Sequence, residues 1–254
     1  MIYFRNLLLL IITTISMGVA HSANSQERVL IFGGTGELGS EIVKALIIAD
    51  KNVTVFVRPS SQRALLKGLK VSYVVGDVLK ESDVEKALKS DSFGVVIDAL
   101  AKDRNDKNAS FYSVSMQYIA KWSLATQVNQ IILHGSVGVG LSRPVYPDDR
   151  FDAMRAVLEA KDSGERYLIE SGVNYTIIRN LILLPADVKE SGTAFLTDDQ
   201  TSLGPVTRDA LARLSLTCLN KQSCFNEIYH AIDNKIELPE RHNRYKEQLE
   251  RLAN

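Results

Sequence analysis

The sequence predicts an α/β fold: a doubly wound, mostly parallel sheet with a small substrate-side lobe at its C-terminal end. Three observations predict it. Short, continuously apolar runs recur at residues 29–32, 53–57, 71–75, 95–99, 131–134 and 175–179. Longer stretches with apolar residues on helical spacing separate them. A glycine-rich turn, Gly33-Gly-Thr-Gly-Glu-Leu-Gly39, follows the first run directly. Strands apolar on both faces need cover on both faces, and strands alternating with helices give parallel pairs with right-handed crossovers.

The elements follow in order. The strand over residues 29–32 runs into the glycines, and residues 38–49 then place Ile42, Val43, Leu46 and Ile47 on one helical stripe. The second strand stops at Arg58-Pro59, and the third ends at Gly76-Asp77. A short helix holds residues 84–88, and residues 110–127 and 152–171 form long helices around the fifth strand. Beyond the sixth strand the pattern loosens. A helix over 207–219, a strand over 225–232 and a polar helix over 240–252 are expected, packing as the small substrate-side lobe over the carboxyl edge of the sheet. The organisation is therefore one domain over 28–236, with a helical tail over 237–254.

Residues 1–23 differ from the rest. Arg5 precedes an uncharged, mostly apolar stretch over 7–20, and small residues follow at Gly18, Ala20, Ser22 and Ala23. That is the pattern of a secretory signal, and the stretch is short for a membrane span. Export to a periplasm or secretory lumen is the expectation. An uncleaved anchor, or a cytoplasmic protein starting at Met17, are the alternatives. Cys218 and Cys224 stand either as a disulfide in an oxidising compartment or as two reduced thiols.

Apolar residues make up 45% of the chain, enough for a large core, and the 30 Lys and Arg equal the 30 Asp and Glu. That balance leaves no basic footprint for nucleic acid. The expected partner is a small molecule or none, with no membrane contact beyond the N-terminal segment. Anion binding must then come from local geometry.

The 33–39 turn supplies such geometry. Gly33 permits the tight turn, Gly36 lets backbone approach a pyrophosphate, and Gly39 lets helix and strand pack closely. The helix N-terminus adds free N–H groups and a positive dipole end. This is a Rossmann-like dinucleotide site, read against a plain glycine turn that has lost its ligand. Arg58 stands at the tip of the second strand, where an acidic residue would hold the ribose hydroxyls of NAD. An arginine there suits the 2′-phosphate of NADP(H), with Arg63 as a second candidate and a surface role as the alternative. Asp77 either accepts from the adenine amino group or caps a turn.

Four stretches carry a family resemblance: Phe32-Gly-Gly-Thr-Gly-Glu-Leu-Gly39, Val75-Gly-Asp-Val78, Ser136 after the fifth strand, and Glu170-Ser-Gly-Val-Asn-Tyr-Thr-Ile-Ile-Arg179. From Arg28 to Ile232 the chain resembles the atypical short-chain dehydrogenase/reductases of the NmrA-like group, including the flavin reductase/biliverdin reductase B type. The resemblance implies NAD(P) binding and a ligand site over the carboxyl ends of the strands. Together the two readings give Gly33, Thr35, Gly36, Glu37, Leu38, Gly39, Arg58, Asp77, Val78 and Ala99 as the cofactor set, and Ser136 and Lys161 as catalytic candidates. Two departures stand out. Lys161 matches the family lysine, but Val157 occupies the place of the usual tyrosine acid four residues earlier. Asn180 follows Arg179 where the group has proline. The nearest upstream tyrosine, Tyr146, lies in a Pro-rich loop.

Bland readings compete at the catalytic positions: a loop hydroxyl for Ser136, a solvated helix lysine for Lys161. His134 reads as a packed core residue, and His21, His230 and His242 are scattered without metal-ligand spacing. The nucleophile-elbow pattern is absent, which sets hydrolases aside. Three functions remain: an NADPH-dependent oxidoreductase acting on a small or flavin-like acceptor, a catalytically silent NADP(H) sensor, or an exported scaffold without cofactor.

Overall fold

The computed structural model describes residues 27–102, 108–243, 247 and 250. The expected leader and most of the expected C-terminal helix lie outside the described residues. The elements are β1 (Arg28–Phe32), α1 (Glu37–Ile48), β2 (Asn52–Val57), β3 (Ser72–Val75), α2 (Glu81–Leu88), β4 (Val95–Asp98) and α3 (Phe111–Ala125). They continue with β5 (Gln130–Ser136), α4 (Asp148–Glu170), β6 (Tyr175–Asn180), β7 (Ile182–Leu183), β8 (Phe195–Thr197), β9 (Pro205–Val206), α5 (Arg208–Thr217) and β10 (Glu227–Ile232).

Eight strands form one sheet in the order β3-β2-β1-β4-β5-β6-β10-β8. Every pair in it is parallel except β8 against β10. Residues 29 to 32 of β1 are fully buried, as a strand covered on both faces must be. Successive side chains point to opposite faces. Ile31, Val55 and Ile132 join Val43 and Leu46 of α1 and Leu211 and Leu214 of α5 in one apolar layer. Leu30, Phe32 and Ile131 join Val84 of α2, Met116 and Ile119 of α3 and Leu168 of α4 in the other. The doubly wound, Rossmann-like α/β architecture is as the sequence predicts.

One expectation needs correction. The 207–219 helix and the 225–232 strand belong to the main layers, not to a separate lobe. β10 pairs with β6 in the central sheet, and α5 lies beside α1. The apolar side of α5, with Ala210, Leu211 and Leu214 buried, covers sheet area that α1 alone leaves bare. The small lobe that remains is the β7–β9 pair and the cluster of Ile182, Leu184 and Val188. These strands are only two residues long, too short for a periodic signal.

Cys218 at the end of α5 and Cys224 before β10 are bridged, with Cα atoms 5.5 Å apart. Gln130 Nε2 donates to the Cys218 carbonyl at 3.0 Å and Thr176 Oγ1 to that of Cys224 at 2.6 Å, tying the small loop to β5 and β6. Closing so short a loop stabilises the fold by about 2 kcal/mol. At the C-terminal end a short 3-10 turn, Glu240–His242, stands where the polar helix was expected to start, with Arg241 and His242 on Asp187.

Candidate active site

The strand order reverses between β2 and β4, on either side of β1. A doubly wound sheet holds its ligand over the carboxyl ends at that point. Gly33 follows β1 with φ of +79°, a conformation that suits glycine, and a Cβ there would strike the Ala99 carbonyl after β4. A Cβ on Gly39 would run into the Gly33 carbonyl. These two glycines close the turn against its neighbours. Gly36 differs. Its Cβ would meet only the Gly33 carbonyl, at 3.3 Å, so nothing in the chain's own packing fills the space before α1. Gly36 is also the N-cap and offers no side chain to the first N–H groups of the helix. Open space, uncapped N–H groups and a helix dipole together fit a phosphate.

The space continues as a cleft of about 380 Å³ over the carboxyl edge of the sheet. Gly36, Glu37, Leu38, Ala99, Ser136 and Lys161 line it, so the phosphate turn and both catalytic candidates share one cavity. Arg58, Asp77 and Val78 stand apart from that lining, at the tips of the neighbouring strands β2 and β3. The Arg58 side chain is exposed, while its backbone N–H donates to Ser61 Oγ and its carbonyl accepts from the Ser61 N–H, each at 3.0 Å. Arg63 lies over the Tyr73 ring, 4.4 Å from its centroid. Asp77 Oδ1 accepts from the Leu79 N–H at 3.0 Å, the turn-capping geometry. Val78 is buried with Phe56 and Val84.

Lys161, on α4, is held at the far end. Its ammonium sits 4.6 Å from the centre of the Tyr112 ring and makes no hydrogen bond or ion pair among the described residues. Its three N–H donors are therefore available to a ligand in the cleft. Burial pushes its pKa down, and the carboxylates of Asp98 and Glu165 push back. Burial raises Asp98 to about 6, against the Leu100 N–H and the Lys161 charge that favour its ionised form. Below them Glu165 and Arg179 form a buried pair, 2.6 Å apart and 3% exposed on each side, with Arg179 Nη1 donating to Gln200 at 2.8 Å. Gly135 and Gly140 make room for it: a Cβ on the first would meet Glu165 and on the second Arg179. Ser136 ends β5, and its hydroxyl donates to the Val137 carbonyl at 3.2 Å while lining the cleft.

Sequence reasoning missed Tyr112, His134, Asn180 and Arg208 as cleft residues. Tyr112 is the tyrosine that reaches Lys161. Its oxygen accepts from the Lys102 N–H at 3.0 Å, leaving its own O–H to donate. Burial raises its pKa, with the Asp98 charge adding to that and the Lys102 N–H opposing it. Tyr146 instead packs with Val139, Phe151 and Leu158, outside the cleft lining. Burial, helped by the Lys161 charge, lowers His134 to about 3, so its ring is neutral. Ser215 Oγ gives its proton to the Leu211 carbonyl at 2.7 Å, so the 3.2 Å contact with His134 Nε2 has the imidazole as donor. Nδ1 is then a bare acceptor, buried and without a partner among the described residues. No sequence pattern joined these side chains into one site, because they come from separate elements.

Residues 33–222 match the model of a family described as NAD(P)H-binding. The chain belongs to that family. Among curated proteins it is 28% identical over 239 residues to the chloroplastic protein TIC 62 of Arabidopsis thaliana, covering 82% of this chain and 36% of that one. It is 22% identical to the photosystem II assembly factor Ycf39 of Synechocystis, covering 82% and 63%. The chain thus spans less than two thirds of the length of either relative. Among solved structures it resembles ChuY, described as an anaerobillin reductase from Escherichia coli O157:H7, with a TM-score of 0.72 at 20% identity, covering 84% of this chain and all of that one. It also resembles a wide-type short-chain dehydrogenase/reductase from Veillonella parvula in complex with NADP, with a TM-score of 0.67 at 16% identity, covering 84% and 99%. At these identities the structural neighbours share the fold.

Proposed function

We propose that this chain is an NADPH-dependent reductase of a small or flavin-like acceptor. One observation carries the reading: a single cleft joins an uncapped phosphate turn at Gly36 to a buried ammonium and a phenol at Lys161 and Tyr112. The bound nicotinamide would supply the hydride; the protein supplies binding, orientation and protons. The N–H groups that open α1 would hold the pyrophosphate. Arg58 would take the 2′-phosphate and so favour NADP(H) over NAD(H). Asp77 would accept from the adenine through Oδ2, since Oδ1 is used in its turn. Lys161 would donate to the ribose hydroxyls, and Ser136 would accept from the carboxamide or the substrate. Tyr112 retains its proton at neutral pH and would give it to the reduced acceptor in place of the tyrosine that Val157 displaces. The ChuY likeness supports a reductase by fold analogy only.

The second reading, a silent NADP(H) sensor, is favoured by Val157 alone. The two separate on one assay. Purified protein is titrated with NADPH and then offered a panel of flavins, quinones and aldehydes. Oxidation of the cofactor by any of them supports the reductase. Binding with no turnover across the panel leaves the sensor. The Cys218–Cys224 bridge supports residence in an oxidising compartment. Intact-mass measurement on native protein separates a cleaved leader, a retained anchor and a start at Met17.

A further inference from the structure

Arg208 opens α5, and its guanidinium reaches across to the first residue of α1. Nη2 lies 2.5 Å from Glu37 Oε2, Nη1 donates to the Leu184 carbonyl, and Nε is buried without a partner among the described residues. Arg208 and Glu37 line the same cleft as Gly36 and Leu38, beside the N–H groups that fit a phosphate. The two partners are unequally held. The Arg208 side chain is 17% exposed and the Glu37 side chain 69%. An ion pair with so exposed a carboxylate is weak and easily exchanged.

We propose that Arg208 is a pyrophosphate clamp and that Glu37 competes for it. The inference rests on the dinucleotide reading above. The Glu37 carboxylate complements the positive end of α1 and the guanidinium together. A pyrophosphate at the same helix end carries two negative charges and offers paired oxygens to the guanidinium fork. It therefore displaces Glu37 from Arg208, with the Leu184 carbonyl keeping the arginine in place. Glu37 becomes an internal competitor for the clamp and a repulsive neighbour of the bound phosphate. α5, which sequence reasoning placed in a substrate lobe, acts on the cofactor instead.

The alternative is a tie that merely joins α5 to α1, and it predicts effects of one sign. Breaking the tie from either side would loosen cofactor binding. The clamp predicts opposite signs. Arg208→Gln weakens NADPH and NADH alike, by about tenfold or more, the cost of a lost charge-assisted pair. Arg208→Lys retains part of the affinity, because the charge stays and the fork goes. Glu37→Gln tightens both cofactors, several-fold at low salt and less at high salt. Fluorescence titration of wild type, Arg208→Gln, Arg208→Lys and Glu37→Gln reads all of this, with thermal unfolding run alongside. The exposed Glu37 site keeps the test open if an Arg208 variant folds poorly. Loosening by Glu37→Gln overturns the proposal, as does an Arg208→Gln effect confined to NADPH or no effect at all. A wild type that binds neither cofactor fails the dinucleotide reading itself, and the clamp with it. A wild type that binds while the variants depart from this pattern fails the clamp alone.

Discussion

At the Gly33 end of the cleft the working groups are backbone, drawn from seven consecutive residues. At the Lys161 end they are side chains, brought together from α3, α4 and the tips of β4 and β5. The first end has three glycines, Gly33, Gly34 and Gly39, where a Cβ would strike the chain's own packing, and one, Gly36, where it would enter open space. The second end must hold an ammonium, two carboxyls, an imidazole and a phenol, and burial and neighbouring charge shift their pKa values. A backbone site tolerates change around it but not within it. A side-chain site can lose one member and recruit another, as Tyr112 stands in the cleft while Val157 fills the usual tyrosine position.

The sharpest way to break this contrast is at Gly36. Gly36→Val fills the space before α1 and abolishes measurable NADPH binding, while stability falls by no more than about 1 kcal/mol, the scale of a cap change. Gly39→Ala does the reverse, because its Cβ meets the Gly33 carbonyl, and its main cost is stability. Paired titration and urea unfolding check both. Equal behaviour of the two variants would erase the distinction between a packing glycine and a ligand glycine.

At the other end Asp98 and His134 titrate against each other. Asp98 is raised to about 6, so it weakens the fold only above its ordinary value near 4, as pH climbs toward 6. His134 is lowered to about 3, so it weakens the fold as pH falls below about 6.5. Their pH slopes oppose each other between about pH 4 and 6. Asp98→Asn removes one of them. It gains up to about 3 kcal/mol over wild type at pH 7, about two units at 1.36 kcal/mol each, and almost nothing at pH 3.5. Urea unfolding at the two pH values measures the difference. A gain that does not depend on pH contradicts a buried, raised Asp98.

Lys161→Met sharpens the role of the ammonium. With the ribose donor gone and Tyr112 no longer beside an ammonium, NADPH binds several-fold more weakly and turnover at saturating NADPH drops by about 100-fold, the low end for a disturbed proton-transfer step. Transient kinetics on whichever acceptor is turned over separates the two. A loss confined to affinity would make Lys161 a binding residue only.

The smallest of these effects lies outside the cleft. Arg58→Ala weakens NADPH by about tenfold, the scale of one charge-assisted hydrogen bond, and leaves NADH nearly unchanged. Titration with both cofactors checks it. Equal losses would return Arg58 to the surface role its exposed side chain also allows.

This contrast also explains what could be read from the sequence. The main strands and the phosphate turn were legible because each depends on neighbours in the chain: Val29 to Phe32 on continuous apolarity, Gly33 to Gly39 on spacing. The exchange of α5 and β10 between lobe and sheet was not legible. Their own patterns are correct for a helix and a strand, and only the bare sheet area beside α1 and β6 decides where they pack. Tyr112 gave no signal, since its meeting with Lys161 depends on the close α3–α4 approach at Gly164, where a Cβ would lie 2.9 Å from the Tyr112 carbonyl. Arg179 was visible in a family-like stretch, yet its buried partner Glu165 became evident only in three dimensions.

The most direct test of the account is a fluorescence titration of the purified chain with NADPH, followed by NADH in competition. The account predicts saturable one-to-one binding of NADPH below millimolar cofactor, with NADH the weaker competitor. No saturation at millimolar NADPH would contradict it, and would leave the open turn at Gly36 without the ligand its geometry fits.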